Sequence, residues 1–126
     1  MGPSWPTMDK LPAVGDVYVA LLPTRVPPGH EQHGHRPVVV VGRPEPARFP
    51  MVIAIPLSSR VGAWQPANPG LYPILAVGSG GLVRESVALI DHVQGVDERR
   101  LVSWLGALTL AEQQPLADGL RLVLGL

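Results

Sequence analysis

Proline and glycine set the scale of anything this chain can build: 15 prolines and 14 glycines are spread over 126 residues. Proline has no N–H for a ladder bond, so each strand or helix must fit between such interruptions. The apolar runs left over are short and rich in Val, Ile and Leu, which predicts strands at 15–23 (GDVYVALLP), 37–41 (PVVVV) and 51–57 (MVIAIPL). Further strands are predicted at 72–77 (YPILAV), 86–90 (SVALI), 92–96 (HVQGV) and 101–108 (LVSWLGAL). The valine run is continuous, not alternating, so its strand should be covered on both faces. Pro56 falls inside the third strand, where its missing N–H needs an edge or a bulge. Loops are expected at 24–35, 43–50 and 58–70, and GSGG at 78–81 reads as a flexible turn.

The tail follows a different period. Thr109 and Glu112 have capping-box spacing, and Leu116, Leu120 and Val123 recur at helical intervals. An amphipathic helix is predicted to about Leu124, starting either at the capping box or near Gln114, which would put Pro115 in the first turn. Many short strands and one terminal helix describe a mainly β chain, a small, strongly bent barrel or sheet capped by that helix. Residues 1–14 carry three prolines and no periodicity, so they are expected to form a loose N-terminal arm before a single domain over 15–126. A hydrophobic fraction of 46% excludes a disordered chain. No run approaches the roughly 20 apolar residues of a membrane span, and no secretory signal pattern opens the chain. Cysteine is absent, which excludes disulfides and thiolate chemistry. A soluble, cytoplasmic domain with no membrane association is expected.

The densest chemistry lies in GHEQHGHRPVVVVG, residues 29–42. His30, His33 and His35 invite a metal, but a zinc helix needs His-Glu-x-x-His, and the fourth residue after His30 is Gly34. No metal site or cofactor is expected. Arg36 stands where the loop meets the valine strand, and an arginine fork suits a phosphate. Ser58 and Ser59 close the strand 51–57, and they would meet Arg36 if that strand lies beside 37–41. Strand-end serines are also common turn formers, so an anion site and a polar turn both remain open on spacing alone.

Taken together, GDVYVALLP, the EQ-x-G-x-RP block at 31–37 with its valines, MVIAIPLSS and RESVALIDHVQGVDERRL resemble the MazF/PemK family of toxin endoribonucleases. The likeness runs in family order over about residues 15–124. It implies an SH3-like β-barrel of the MazF/PemK/CcdB kind with a C-terminal amphipathic helix, acting as a homodimer. It also implies metal-independent, sequence-selective cleavage of single-stranded RNA, in which the 2′-hydroxyl attacks its own phosphate and leaves a cyclic phosphate and a 5′-hydroxyl. A cognate antitoxin protein is the implied inhibitor.

Residue by residue, Arg36 matches the family's catalytic arginine, and Ser58 falls where the family has its catalytic threonine. That change keeps the hydroxyl and removes the methyl that stiffens the rotamer. Ser59 substitutes if the register is off by one. Glu31 and Gln32 match loop positions linked to RNA binding. A guanidinium is a poor proton acceptor at neutral pH, so Arg36 is expected to stabilise charge and deliver a proton to the leaving oxygen, while His33 or His35 shares the acid–base work. The chain is neutral, ten basic against ten acidic residues, so its charge gives no direct sign of RNA. Of its few aromatics, among them Trp5 in the arm, Trp64 in the 58–70 loop is the stacking candidate, with a core or dimer-contact role as its rival. Two other functions remain open: a CcdB-like toxin that binds a protein such as gyrase, and an inactive RNA-binding homologue, to which Ser58 points.

Overall fold

A computed structural model of the protein describes residues 11–45 and 48–126. Most of the expected arm, with Trp5, and residues 46–47 of the 43–50 turn lie outside that description. The strands are β1 (Asp16–Leu22), β2 (Gly34–Gly42), β3 (Met51–Ser58), β4 (Ile74–Leu75), β5 (Ser86–Ala88), β6 (Gln94–Asp97) and β7 (Leu101–Ala107). A short helix, α1 (Trp64–Ala67), follows β3, and α2 (Leu110–Leu124) ends the chain. All pairings are antiparallel, in the order β4-β5-β3-β2-β1-β7, with β6 also on β3. The result is a curled sheet, a half-barrel, with one C-terminal helix. No helix among the described residues is long and apolar enough to cross a membrane.

The valine run is covered on both faces, as its lack of alternation predicts. Val38 and Val40 join Tyr18, Ala20, Val52, Ala54 and Leu101 in one buried cluster. Val39 faces the other way, into a cluster with Val17, Ile55, Leu57, Ile90 and Leu116. The first cluster uses only residues of β1, β2, β3, β6 and β7, so it fills the inside of the curl. The second is closed by α2 and the 71–90 segment.

Pro56 finds the kind of position it needs. One edge of β3 follows β2, while its other edge pairs β6 up to Ala54 and β5 from Leu57. Pro56 sits at the change of partner, where its carbonyl accepts from Leu89 N–H at 3.0 Å. No ladder bond is therefore lost to its missing N–H.

Several stretches differ from expectation: β2 already begins at Gly34, α1 lies inside the expected 58–70 loop, and β6 starts at Gln94, not at His92. Only Ile74–Leu75 of 72–77 is strand, because β5 offers it just two partners, Val87 and Ser86. The run 86–90 leaves the sheet after Ala88, where Leu89 N–H turns to Pro56, and a 3-10 turn follows at Ile90–His92. The GSGG turn is packed, not loose: Ser79–Gly81 forms a 3-10 turn against β7. A Cβ on Gly81, whose φ is +78°, would lie 2.1 Å from the Leu105 carbonyl oxygen. Glycine is there for close approach.

The helix α2 starts at its capping box, not near Gln114. Thr109 Oγ1 accepts from Glu112 N–H at 3.1 Å, and Glu112 Oε1 accepts from Thr109 N–H at 2.8 Å. That second bond holds the Glu112 carboxyl below its ordinary value of 4.5. Pro115 is thus interior, where it forgoes the one bond its N–H would make to the carbonyl four residues back. Leu116 is buried and Leu120 half-buried, but Val123 is exposed because the last turn runs past the core. Gly119, which weakens the helix by propensity, lets it approach the core: a Cβ there would lie 2.9 Å from both the Gly70 carbonyl oxygen and Ile90 Cγ1. Gly119→Ala should therefore destabilise the fold by about 1–3 kcal/mol, despite alanine's better helix propensity. Urea unfolding measures it, and an unchanged or higher midpoint would contradict this packing.

Candidate functional site

Arg36 is more firmly placed than a loop-to-strand boundary implies. β2 begins at Gly34, so Arg36 is already in the ladder, opposite Ala20 of β1. The β2–β3 register ends on the pair Val38–Pro56. Two residues further along each strand, Arg36 and Ser58 stand at the same level of neighbouring strand ends. Both line a cavity of about 320 Å³, together with Ser59 and Arg84 and the apolar wall of Leu57 and Leu82.

Each of the two side chains is held by one bond and keeps donors to spare. Arg36 Nε donates to the His33 carbonyl at 2.9 Å. Its Nη groups have no partner among the described residues, so a two-toothed fork is left for an anion. Ser58 Oγ accepts from Arg60 N–H at 3.1 Å. With one lone pair so used, the hydroxyl hydrogen remains free to donate.

A second cavity, about 570 Å³, shares Ser58 with the first. His30, Gln32, Arg60, Trp64, Tyr72 and His92 line it. Trp64 is 42% exposed and meets Tyr72 edge to face at 4.8 Å between ring centres, so it is not a core residue. Gln65, the next residue of α1, fixes that contact by donating to the Tyr72 carbonyl at 3.0 Å. Tyr72 Oη donates to Asp91 Oδ2 at 2.6 Å, a bond that, with lesser help from burial, raises the phenol's pKa. Asp91 Oδ1 lies 2.9 Å from His92 Nδ1, and His92 Nε2 lies 3.3 Å from the His30 carbonyl oxygen.

The fold therefore gathers Arg36, Ser58 and Ser59 at one cavity, and Gln32, Trp64 and His30 at the next. Glu31, His33 and His35 are exposed and line neither; His35 lies in β2 opposite Leu21. Arg84, Arg60, Tyr72, Asp91 and His92 escape a reading of the sequence. Linear spacing holds no signal for Arg84, Asp91 and His92, because the pairing of Ser58 with Val87 in β5 is what carries the 84–92 segment to the site, and Tyr72 joins it through Asp91; Arg60 is signalled only by standing two residues after Ser58. With these residues, three arginines surround Ser58 although the chain is neutral overall.

Another depression, about 480 Å³ between Arg43, Glu98 and Phe49, holds none of the expected residues. Its arginine is already committed: Arg43 Nε donates to Glu98 at 2.9 Å, and Nη1 pairs with Glu45. Among the described residues, no three His, Cys, Asp or Glu side chains are grouped so as to hold a metal ion.

Solved structures share this architecture. MazF from Deinococcus radiodurans superposes with a TM-score of 0.72 at 23% identity, covering 94% of this chain and 100% of its own. An endoribonuclease in complex with its cognate antitoxin, from a mycobacterial species, gives 0.67 at 20% identity, over 91% of this chain and 96% of its own. The Deinococcus radiodurans MazE–MazF complex gives 0.64 at 23% identity, over 94% and 99%. At such identities the likeness speaks for the fold. The sequence itself carries the family: residues 13–124 match the family model of the PemK-like, MazF-like toxins, so the chain belongs to the PemK/MazF toxin family of type II toxin–antitoxin systems.

Proposed function

We propose that this toxin is a metal-independent endoribonuclease that cuts single-stranded RNA, mRNA included, at selected sequences. The 2′-hydroxyl attacks the adjacent phosphorus, leaving a cyclic phosphate and a 5′-hydroxyl. The observation that carries this reading is the cavity that Arg36 and Ser58 line together with Arg84. Negative charge grows on the phosphorane oxygens as the nucleophile arrives. Donors fixed beforehand then bind the transition state more strongly than the ground state. The free Nη fork of Arg36 and the hydroxyl hydrogen of Ser58 are donors of this kind, and they supply the stabilisation a metal would otherwise give. Ser59 offers a second hydroxyl at the same wall.

The neighbouring cavity takes the flanking nucleotides. An exposed Trp64 braced by Tyr72 is a stacking platform, and Gln32 and Arg60 present polar groups to a base or phosphate. Glu31, His33 and His35, on the exposed segment ahead of the valines, contact the RNA from outside. Residues 15–126 work as one cytoplasmic domain, paired as a homodimer and silenced by a cognate antitoxin that competes for this surface.

Incubating the purified protein with a long single-stranded RNA in EDTA tests the reading. Discrete cuts at a limited set of sequences are expected. An uncut RNA, from a protein that still arrests growth on expression, would favour a toxin that binds a protein target. Tight binding without cutting would favour an inactive homologue.

A further inference from the structure

An in-line displacement at phosphorus puts the attacking and leaving oxygens on opposite sides. Arg36 cannot take the proton of the attacking hydroxyl, because a guanidinium has no accepting nitrogen at neutral pH. The base must come from elsewhere at the site, and the second cavity, which shares Ser58 with the first, offers candidates. Two imidazoles reach that cavity, His30 and His92. Only His92 has a ring whose orientation is fixed by side chains: Nδ1 faces Asp91, which Tyr72 Oη anchors through its other oxygen. His30 meets this network through its backbone carbonyl alone.

We propose that His92 is the general base of the cleavage, with Asp91 as its positioning residue; the inference rests on the endoribonuclease reading above. Nε2 takes the proton of the 2′-hydroxyl as O2′ bonds to phosphorus. The P–O5′ bond breaks, O5′ takes a proton from solvent water, and the hydroxide left behind is neutralised by the proton that His92 then gives up. With Nδ1–H donating to Asp91, the accepting nitrogen is Nε2, and the 2′-hydroxyl replaces its 3.3 Å contact with the His30 carbonyl. The other polar side chains of the cavity are Gln32, Ser58, Tyr72 and the charged Arg60 from the segment after β3, while Gln94 donates to the His92 carbonyl and accepts from Arg25. His33 and His35 line neither cavity, so the acid–base work expected of them moves to His92.

Single-turnover cleavage between about pH 5 and about pH 8, the range in which an imidazole titrates, is the test. Wild type should speed up with pH and then level off. His92→Gln keeps a hydrogen-bonding amide but accepts no proton. It should cut about 100-fold more slowly at neutral pH, lose the acid-side rise, and bind an uncleavable 2′-deoxy RNA as wild type does. Asp91→Asn loosens the hold on Nδ1, so it should keep the acid-side rise but level off at a lower rate than wild type. A flat wild-type profile, or His92→Gln that cuts like wild type, overturns the assignment and leaves the endoribonuclease reading standing. Should His92→Gln fail to fold, the wild-type and Asp91→Asn profiles decide alone. A wild type that cuts no RNA overturns both.

Discussion

Arg36→Ala is expected to lower RNA cleavage by at least about 100-fold, the usual consequence of removing one preorganised donor from a developing oxyanion. The fold should be unaffected. Arg36 is exposed, and the only bond its side chain makes among the described residues is to the His33 carbonyl on the loop beside it. A thermal melt close to wild type would therefore accompany the loss of activity. Arg36→Lys sharpens the point. Lysine restores the charge but not the fork, so it should recover only part of the rate, with kcat remaining low while RNA binding returns. Full recovery by lysine would mean that Arg36 serves as a general positive charge and not as a two-toothed clamp. Wild-type cleavage by Arg36→Ala would remove it from the chemistry altogether.

Ser58 carries the second large effect. With its oxygen accepting from Arg60 N–H, its hydrogen is left to point at a phosphate oxygen. Ser58→Ala should reduce cleavage by about 100-fold and also leave Arg60 N–H without its partner. Ser58→Thr should cut at least as well as wild type, because the added methyl restricts χ1 while the hydroxyl remains. The two variants separate chemistry from packing, since Ser58 is half-buried at the strand end and the larger threonine tests the room available. If alanine and wild type cut alike, Ser59, on the same cavity wall, is the hydroxyl in use, and the double variant would show it.

Much of this architecture is legible in the chain because it depends on local chemistry. The uninterrupted valines announce a strand covered on both sides. Pro56 announces a break in its ladder, and Thr109 with Glu112 announces the start of α2. Arg36 and Ser58 can be placed together in advance because each stands at the end of a strong strand and those strands are neighbours in sequence. Beyond that, local signals end. Asp91 and His92 lie in a 3-10 turn whose position depends on β5 pairing with the far end of β3, a contact across about thirty residues that no periodicity encodes. Arg84 reaches the site by the same pairing. Gly81 and Gly119 read as flexibility or weakness in the sequence, whereas in the fold they are points of close approach that only a neighbouring backbone reveals. Pro115 misleads for a related reason. Its local penalty is real, but the capping box and the burial of Leu116 and Gly119 outweigh it.

The central claim is that this protein clamps a phosphate with its own donors while the substrate's 2′-hydroxyl does the cutting. The most direct measurement uses two RNAs of the same sequence in EDTA, one carrying a single 2′-deoxynucleotide immediately 5′ of a cleaved bond. The all-ribose strand should be cut there, leaving a cyclic phosphate, and the substituted strand should stay intact at that bond while other bonds are still cut. Cleavage at the 2′-deoxy position, or loss of all cutting once EDTA is present, would contradict the account.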